Sequence, residues 1–415
     1  MSKTFSIISL GCPRNLVDSE YIASELKASG YAFMEQVKDI DTLVVNTCAF
    51  IEDAKKESID VILKAIDAKK SGDVKKIIVA GCLPERYAME LKKEFKDIDE
   101  FRGVLAFKSR GVQQEFKLTS GHYAYVKISE GCGNRCSYCI IPYLKGPYKS
   151  KEIDSIVEEV RTLVKNGVKE IVLVGQDTSL YGIDLYGKKK LAELLKKICS
   201  VAGESWIRLL YCHPANLDRD VIRLIRDSGN ICKYIDLPVE HISDRILKKM
   251  GRRSGKKDIL SLIDHIRAEI PGIALRSSLI VGFPDETEKD FQELLSFIRD
   301  VKFERLGIFR YSREEGTPAY RYKGHIPEKE KERRFDMAMS LQQEVSLEVN
   351  ERFKGQILKV LIEDSEKDYY IGRTEYDAPE VDGLIYIKGK ELQRGNFYNV
   401  RVTSTYEYDL VSEVL

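Results

Sequence analysis

No stretch of this chain approaches the ~20 apolar residues that a membrane-spanning helix needs. Its first residues, MSKTFSIISLG, lack the basic start and apolar run of a secretory leader. The expected location is therefore cytoplasmic, with no membrane partner. Charge of one sign is not in excess either. The formal net charge is +1, so no bulk electrostatic pull toward nucleic acid or an anionic surface is present. Low-complexity segments and long linkers are missing, which leaves 415 residues to be divided between two or three packed domains. Cysteines number nine, an odd count. In a cytoplasmic chain of this size they do not read as a disulfide framework. They are buried small hydrophobes, reactive thiols or metal ligands, and their positions must decide which.

What is present falls into three patterns. The first, residues 1–110, has short apolar runs at Phe5–Leu10, Thr42–Thr47 and Lys76–Ala80. Amphipathic stretches follow each, at Val17–Ser29, Ile51–Ala68 and Arg86–Lys96. That alternation predicts an α/β domain with a parallel sheet. The second, residues 118–349, repeats strand candidates six times, from Tyr123–Ile128 to Arg305–Tyr311, with helical patterns between most of them. Six βα units predict a partial, TIM-like barrel rather than a closed eight-unit one. The charged stretch Pro327–Arg352 reads as a closing helix. The third, residues 350–415, is rich in Tyr, Val, Ile and Gly, with turn signals at Asp382–Gly383 and Lys388–Gly389. It predicts a small all-β barrel.

The strongest chemical signal is the string EGCGNRCSYCIIP, with Cys132, Cys136 and Cys139. Three thiolates at spacings of four and three residues can hold three irons of a cubane cluster. No fourth ligand lies nearby, so one iron is left for a small molecule. The loop follows the first barrel strand, on the face where barrel enzymes place their sites. A zinc knuckle with a distant fourth ligand is the competing reading. A second set is dispersed in sequence: Cys12, Cys48 and Cys82 lie just past the three N-terminal strands, in SLGCPRN, VNTCAF and VAGCLPE. Strand carboxyl ends share one edge of a parallel sheet, so these cysteines are expected to converge as a second three-thiol set. The competing reading is three unrelated buried cysteines. Cys199, Cys212 and Cys232 share no spacing and read as packing residues, with Cys212 at a strand end.

The CxxxCxxC motif, with Tyr138 before its last cysteine, resembles the radical S-adenosylmethionine superfamily. The resemblance implies that the open iron binds S-adenosylmethionine and that reductive cleavage yields a 5′-deoxyadenosyl radical. It implies cofactor contacts at Tyr138, at Gly175 and Gln176, and at Gly282 within LIVGFPDET. Two three-cysteine sets in this domain order resemble the methylthiotransferase family, over essentially the whole chain. The strings SLGCPRNLVDSE, NTCAFIEDAKKESID, LVGQDTSLYGIDLY and RTEYDAPEVDG resemble its RimO branch, and the terminal barrel resembles a TRAM domain.

That branch implies methylthiolation of the β-carbon of an aspartate in small-subunit ribosomal protein twelve. It implies two 4Fe-4S clusters, one on each thiol set, two S-adenosylmethionine molecules per turnover, a low-potential electron donor and a sulfur donor. No catalytic residue is assigned beyond the cluster ligands. The alternative is a transfer-RNA methylthiotransferase of the MiaB type. A charge count bears on the choice. Residues 350–415 hold nine Lys and Arg against thirteen Asp and Glu. An acidic barrel suits a basic protein better than a phosphate backbone, unless the acids form only a solvated surface. Glu240, in DLPVEHISD, stands where the family usually carries glutamine, and the connection Phe101–Gly121 is shorter than the family's. Arg208, Arg276 and Arg310 are candidates, by charge alone, to receive the aspartate carboxylate.

Overall fold

The structure, a computed structural model, describes residues 3–105 and 116–415. The expected boundary at residue 110 and the middle of the short connection, residues 106–115, fall outside the described residues. The N-terminal sheet holds β1 (Thr4–Ser9), β2 (Ala32–Phe33), β3 (Ile40–Thr47), β4 (Val74–Gly81) and β5 (Glu100–Arg102), in the order β2-β1-β3-β4-β5. Every pairing is parallel. The apolar runs of β3 and β4 are buried on both faces, as a helix-covered parallel sheet requires. Its helices are α1 (Pro13–Ala28), α2 (Glu52–Ser71) and α3 (Cys82–Glu94). The sequence reading of three strands is corrected to five. Edge strands of two and three residues carry too few apolar positions to show a period.

The six expected strands of the central region form a curved arc. They are β6 (Tyr123–Lys127), β9 (Glu170–Val174), β10 (Trp206–Leu209), β11 (Tyr234–Asp236), β12 (Ala274–Val281) and β13 (Arg305–Arg310). A short pair, β7 (Ser129–Glu130) with β8 (Lys149–Ser150), brackets the CxxxCxxC loop. Hydrogen bonding gives two parallel sheets, β10-β9-β6 and β11-β12-β13, joined by a bridge between Ile207 and Ile231 and by the Cys212 N–H to the Asp236 carbonyl at 2.9 Å. Among the described residues β6 does not pair with β13, so the barrel is open. The outer face of the arc packs on α5 (Ile153–Lys165), α7 (Leu191–Ala202), α8 (Arg219–Asp227), α10 (Lys256–Glu269), α11 (Glu288–Val301) and α12 (Glu328–Glu351) in one apolar core. Shorter helices lie in the loops: α4 (Ile141–Leu144), α6 (Ile183–Tyr186) and α9 (Asp244–Lys249). No helix is long and apolar enough to cross a membrane, among the described residues.

The last region is the expected all-β barrel. It closes as β14-β15-β16-β18-β17, from β14 (Ile357–Glu366), β15 (Tyr369–Thr374), β16 (Ile385–Lys388), β17 (Phe397–Thr405) and β18 (Leu410–Val414). Closure leaves no free strand edge.

The inner face of the arc is not uniformly apolar. Alternation along each strand points Glu170, Arg208, Arg276 and Arg305 inward near the strand starts. There they meet the segment after β15. Arg208 donates to Glu170 at 2.6 Å and to the carbonyl of Glu375 at 2.8 Å. Arg373 reaches the other oxygen of Glu170 at 2.5 Å. Arg305 donates to Asp377 at 2.7 Å, Arg276 to Asp236 at 3.0 Å, and Tyr234 to Asp382 at 2.7 Å. RTEYDAPEVDG is thus the plug in the base of the central barrel, with Ala378 fully buried among its aromatic side chains. The count of acids in the terminal barrel overstates its surface acidity, since Asp377 and Asp382 are spent on this docking.

Glu170 is completely buried between two guanidinium groups. Removing one member of such a cluster strands buried charge and costs about 3–5 kcal/mol. Glu170→Gln is therefore expected to lower the thermal unfolding midpoint and to expose the chain near residue 350 to limited proteolysis. Unchanged melting and cleavage would show that the plug does not depend on this charge.

Candidate functional site

Cys12, Cys48 and Cys82 do converge. Cys12 precedes Pro13, which opens α1 with a ring suited to the first helical position. Cys48 follows β3, and Cys82 is the first residue of α3. Gly11 runs at φ +88°, and a Cβ there would lie 2.9 Å from the Cys48 sulfur, so the β1 turn must be glycine for the thiols to gather. Burial pushes the Cys48 thiol up to about 12, and the charges of Cys12 and Cys82 push the same way. Cys82 is raised by burial too. Cys12 differs: burial opposes its ionisation, but the Arg14 guanidinium beside it, with the Asn15 N–H and Lys145, more than offsets this and lowers its pKa.

The second set lies in the loop between β7 and α4. Burial raises Cys139 to about 12, with Cys136 and Cys132 adding to the effect. The Asn134 N–H donates to the Cys132 sulfur at 3.4 Å, and an Arg252 N–H lies 3.9 Å from the Cys136 sulfur. Ser137 fixes the loop from below through its N–H to the Met250 carbonyl at 2.8 Å. Among the described residues, no three His, Cys, Asp or Glu side chains draw together tightly enough to share one metal ion. Three thiols without a fourth ligand, flanked by cations, fit a multi-iron cubane that keeps one iron for a small molecule.

Both sets face the same end of the central barrel. Ile140 and Leu144, just after Cys139, are buried in the same apolar cluster as Cys82 and Leu83. Arg14 reaches from beside Cys12 to the Gly175 carbonyl at 3.3 Å and covers the Tyr211 ring at 4.5 Å. A buried ion cluster joins the same parts. Asp18 of α1 accepts from Lys127 of β6 and from Lys145, the latter at 2.9 Å, and Lys127 also reaches Glu130 at 2.6 Å. Burial works against the Glu130 charge, but Lys127 and Lys145 hold its carboxyl down at about 2. Lys145 in turn carries its positive charge toward Cys82 and Cys12. On the far side, Arg86 of α3 pairs with Glu314 past β13 at 2.6 Å.

The residues expected to contact the cofactor lie in the Cys132 loop and just past strand ends. Tyr138 packs against Phe283 and Tyr311 and faces Glu240. Gly175 ends β9, where a Cβ would lie 2.4 Å from the Ser129 hydroxyl. Gln176 donates to Glu130 at 2.7 Å. Gly282 follows β12, but its N–H is already held by Glu286 at 2.6 Å, and Glu286 is buried against Arg334 at 2.9 Å. LIVGFPDET therefore has a structural task as well. Glu240, at φ +71°, stands between Tyr138 and Arg252, and burial raises its pKa. Arg208 and Arg276 are consumed in the base ion pairs, and Arg310 is exposed over Phe335, outside the arc. None of the three is placed to receive a substrate. Cys212 and Cys232 are fully buried packing residues, and Cys199 is partly buried against the same outer core.

Several residues of this mouth were not anticipated: Arg14, Asp18, Lys127, Glu130, Lys145, Asp177 and Arg252. One signal was readable. Helix α1 carries Asn15, Asp18, Ser19 and Glu20 on buried positions, and polar residues at the core-facing period of a helix demand buried partners.

The Radical SAM superfamily matches residues 126–298, an uncharacterized protein family, UPF0004, matches residues 4–103, and a TRAM domain matches residues 355–415. The ribosomal protein uS12 methylthiotransferase RimO of Bacteroides thetaiotaomicron is 45% identical across 100% of this chain and 98% of that protein. The chain belongs to the RimO methylthiotransferase family. The RimO of Clostridioides difficile is 43% identical, with 98% of both chains covered. Among solved structures, the radical S-adenosylmethionine methyltransferase TsrM from Kitasatospora setae is similar in fold, with a TM-score of 0.57 at 13% identity over 92% of this chain and 82% of that one. The RimO family places this chain among the radical S-adenosylmethionine methylthiotransferases, and its architecture agrees: a parallel α/β domain, an open six-strand barrel and a closed all-β barrel.

The geometry also assigns supports for the Cys132 loop. Asp177 accepts from Asn134 and from Asn216, each at 2.7 Å, and Arg253 spans both amide oxygens. Asp177→Ala is expected to loosen the Asn134 N–H from the Cys132 sulfur. In a Cys48→Ala background, iron retained after anaerobic reconstitution should fall severalfold, since loss of such supports typically costs 10–100-fold in metal affinity. Full retention would mean that the loop holds itself.

Proposed function

We propose that this enzyme methylthiolates the β-carbon of an aspartate in small-subunit ribosomal protein uS12, in the cytoplasm, using a 4Fe-4S cluster on each thiol set. Cys132, Cys136 and Cys139 would hold the cluster that takes S-adenosylmethionine, and Cys12, Cys48 and Cys82 the auxiliary one. When bound, these groups supply one-electron reduction, hydrogen abstraction and a methylated sulfur. The observation that carries the reading is the convergence of the two sets on one barrel mouth, joined by Arg14 and by the Asp18–Lys145 pair.

The chain's own part is positional and electrostatic. Arg14 and Lys145 present positive charge to the N-terminal thiols, which lowers the cost of keeping several thiolates out of water. Arg252 does the same beside Cys136. S-adenosylmethionine would lie against Tyr138, Gly175, Gln176 and Gly282, with the plug closing the opposite end of the barrel. A low-potential electron donor and a sulfur donor complete the reaction.

Anaerobically reconstituted protein should hold about eight irons per chain, and each of Cys132→Ala and Cys48→Ala about four. Cys132→Ala should abolish formation of 5′-deoxyadenosine. Cys48→Ala should still cleave S-adenosylmethionine while uS12 gains no methylthio mass. Unchanged methylthio product from Cys48→Ala would defeat the two-cluster reading. Product on transfer RNA with none on uS12 would favour the MiaB-type alternative.

A further inference from the structure

The cations near the two thiol sets are not equivalent. Lys127 is held by Asp18 and Glu130, and Lys145 by Asp18. Arg252 is tied to the Pro238 carbonyl and faces Glu240. Arg253 is exposed and anchored on two amides. Arg14 is different. Among the described residues no carboxylate lies within ion-pair distance of it. Glu130 acts on it from farther away, but that carboxylate is bound by Lys127 and Gln176. The Arg14 guanidinium has two firm protein contacts besides the Cys12 thiol: the face of Tyr211 at 4.5 Å and the Gly175 carbonyl at 3.3 Å. Tyr211 itself runs at φ +61°, a conformation that a bulky residue keeps only when its surroundings impose it. Arg14 as a residue is only partly covered, while its guanidinium lies deep between Cys12, Tyr211 and the end of β9.

We propose that Arg14 receives the side-chain carboxylate of the substrate aspartate, an assignment that rests on the functional reading above. A guanidinium has five N–H donors in a planar fork that matches a carboxylate. One N–H is used on Gly175 and the ring is braced on Tyr211, so the fork is held in place before substrate arrives. The β-carbon is bonded directly to the carboxyl carbon. Anchoring the carboxylate beside Cys12 and the end of β9 therefore holds the reacting atom one bond beyond the anchored carboxyl, next to the N-terminal thiol set. The same device selects an aspartate over an asparagine, because a neutral amide leaves the charge unmatched. Arg14 takes the role that charge alone offered to Arg208, Arg276 and Arg310.

The test uses reconstituted holoenzyme and two fluorescent peptides spanning the modified loop of uS12, one with the target aspartate and one with asparagine in its place. Anisotropy titrations should show wild type preferring the aspartate peptide by about tenfold to a hundredfold. Arg14→Gln should erase that preference by weakening the aspartate peptide alone. Arg14→Lys, which keeps the charge without the fork, should retain part of it, and it serves as the informative variant if Arg14→Gln loses iron. A preference unchanged in both variants, or absent from wild type, overturns the assignment. Methylthio mass gain on the aspartate peptide is read in parallel. If wild type modifies that peptide but the preference survives in both variants, Arg14 alone is misassigned. If wild type modifies neither peptide nor uS12, the functional reading falls and this inference with it.

Discussion

Asp18 is the hinge of the whole arrangement. It sits on the first helix of the N-terminal domain, yet it accepts from Lys127 on the first barrel strand and from Lys145 behind the cysteine loop, with all three side chains nearly out of contact with water. Burying a carboxylate between two ammonium groups costs desolvation of all three, and only close pairing recovers it. The two domains therefore lose little by dwelling in one relative pose and much by leaving it. That pose turns two separate sheet edges into one reaction site. Each sheet is parallel, so each gathers its loops at its carboxyl end. Setting those ends against one another is left to a few charges and to the apolar patch of Ile140, Leu144, Cys82 and Leu83.

The two ends of the central barrel are treated differently. At the mouth, cations face thiols, and the surfaces stay polar. At the base, Arg208, Arg276 and Arg305 meet Glu170, Asp377 and Asp382 in a closed set of ion pairs, with Tyr123 and Tyr234 donating to Glu380 and Asp382. Both ends use charge, but at the base it is satisfied inside the protein. At the mouth one guanidinium keeps capacity to spare, and that difference separates a structural end from a chemical one.

Much of this was legible in the sequence. The runs Thr42–Thr47 and Lys76–Ala80, the exact span of β12 and the closing helix came from period and length, because buried parallel strands and long amphipathic helices write strong patterns. The cysteines at three strand ends were legible for a topological reason, since parallel strands share one edge. The short edge strands β2 and β5 were not, because two or three residues set no period. The ion clusters were not legible either. Asp18 pairs with residues 109 and 127 positions away, and no local pattern encodes such a partner. The acidic count of the terminal barrel pointed to a protein substrate but overstated the charge at its surface, because a composition cannot tell an acid facing solvent from one paired beneath a neighbouring domain.

The plug has a consequence for how such proteins can diversify. Residues 374–382 belong to the terminal barrel by sequence but to the central barrel by contact, where their acids and carbonyls complete its floor. The terminal barrel is thus no detachable adaptor that recombination could trade freely for another. A chimera acquiring a foreign version would inherit a floor cut for different walls. It would have to bring matching counterparts of Arg208, Arg276 and Arg305 with it, which binds the choice of target and the shape of the catalytic core into one heritable unit.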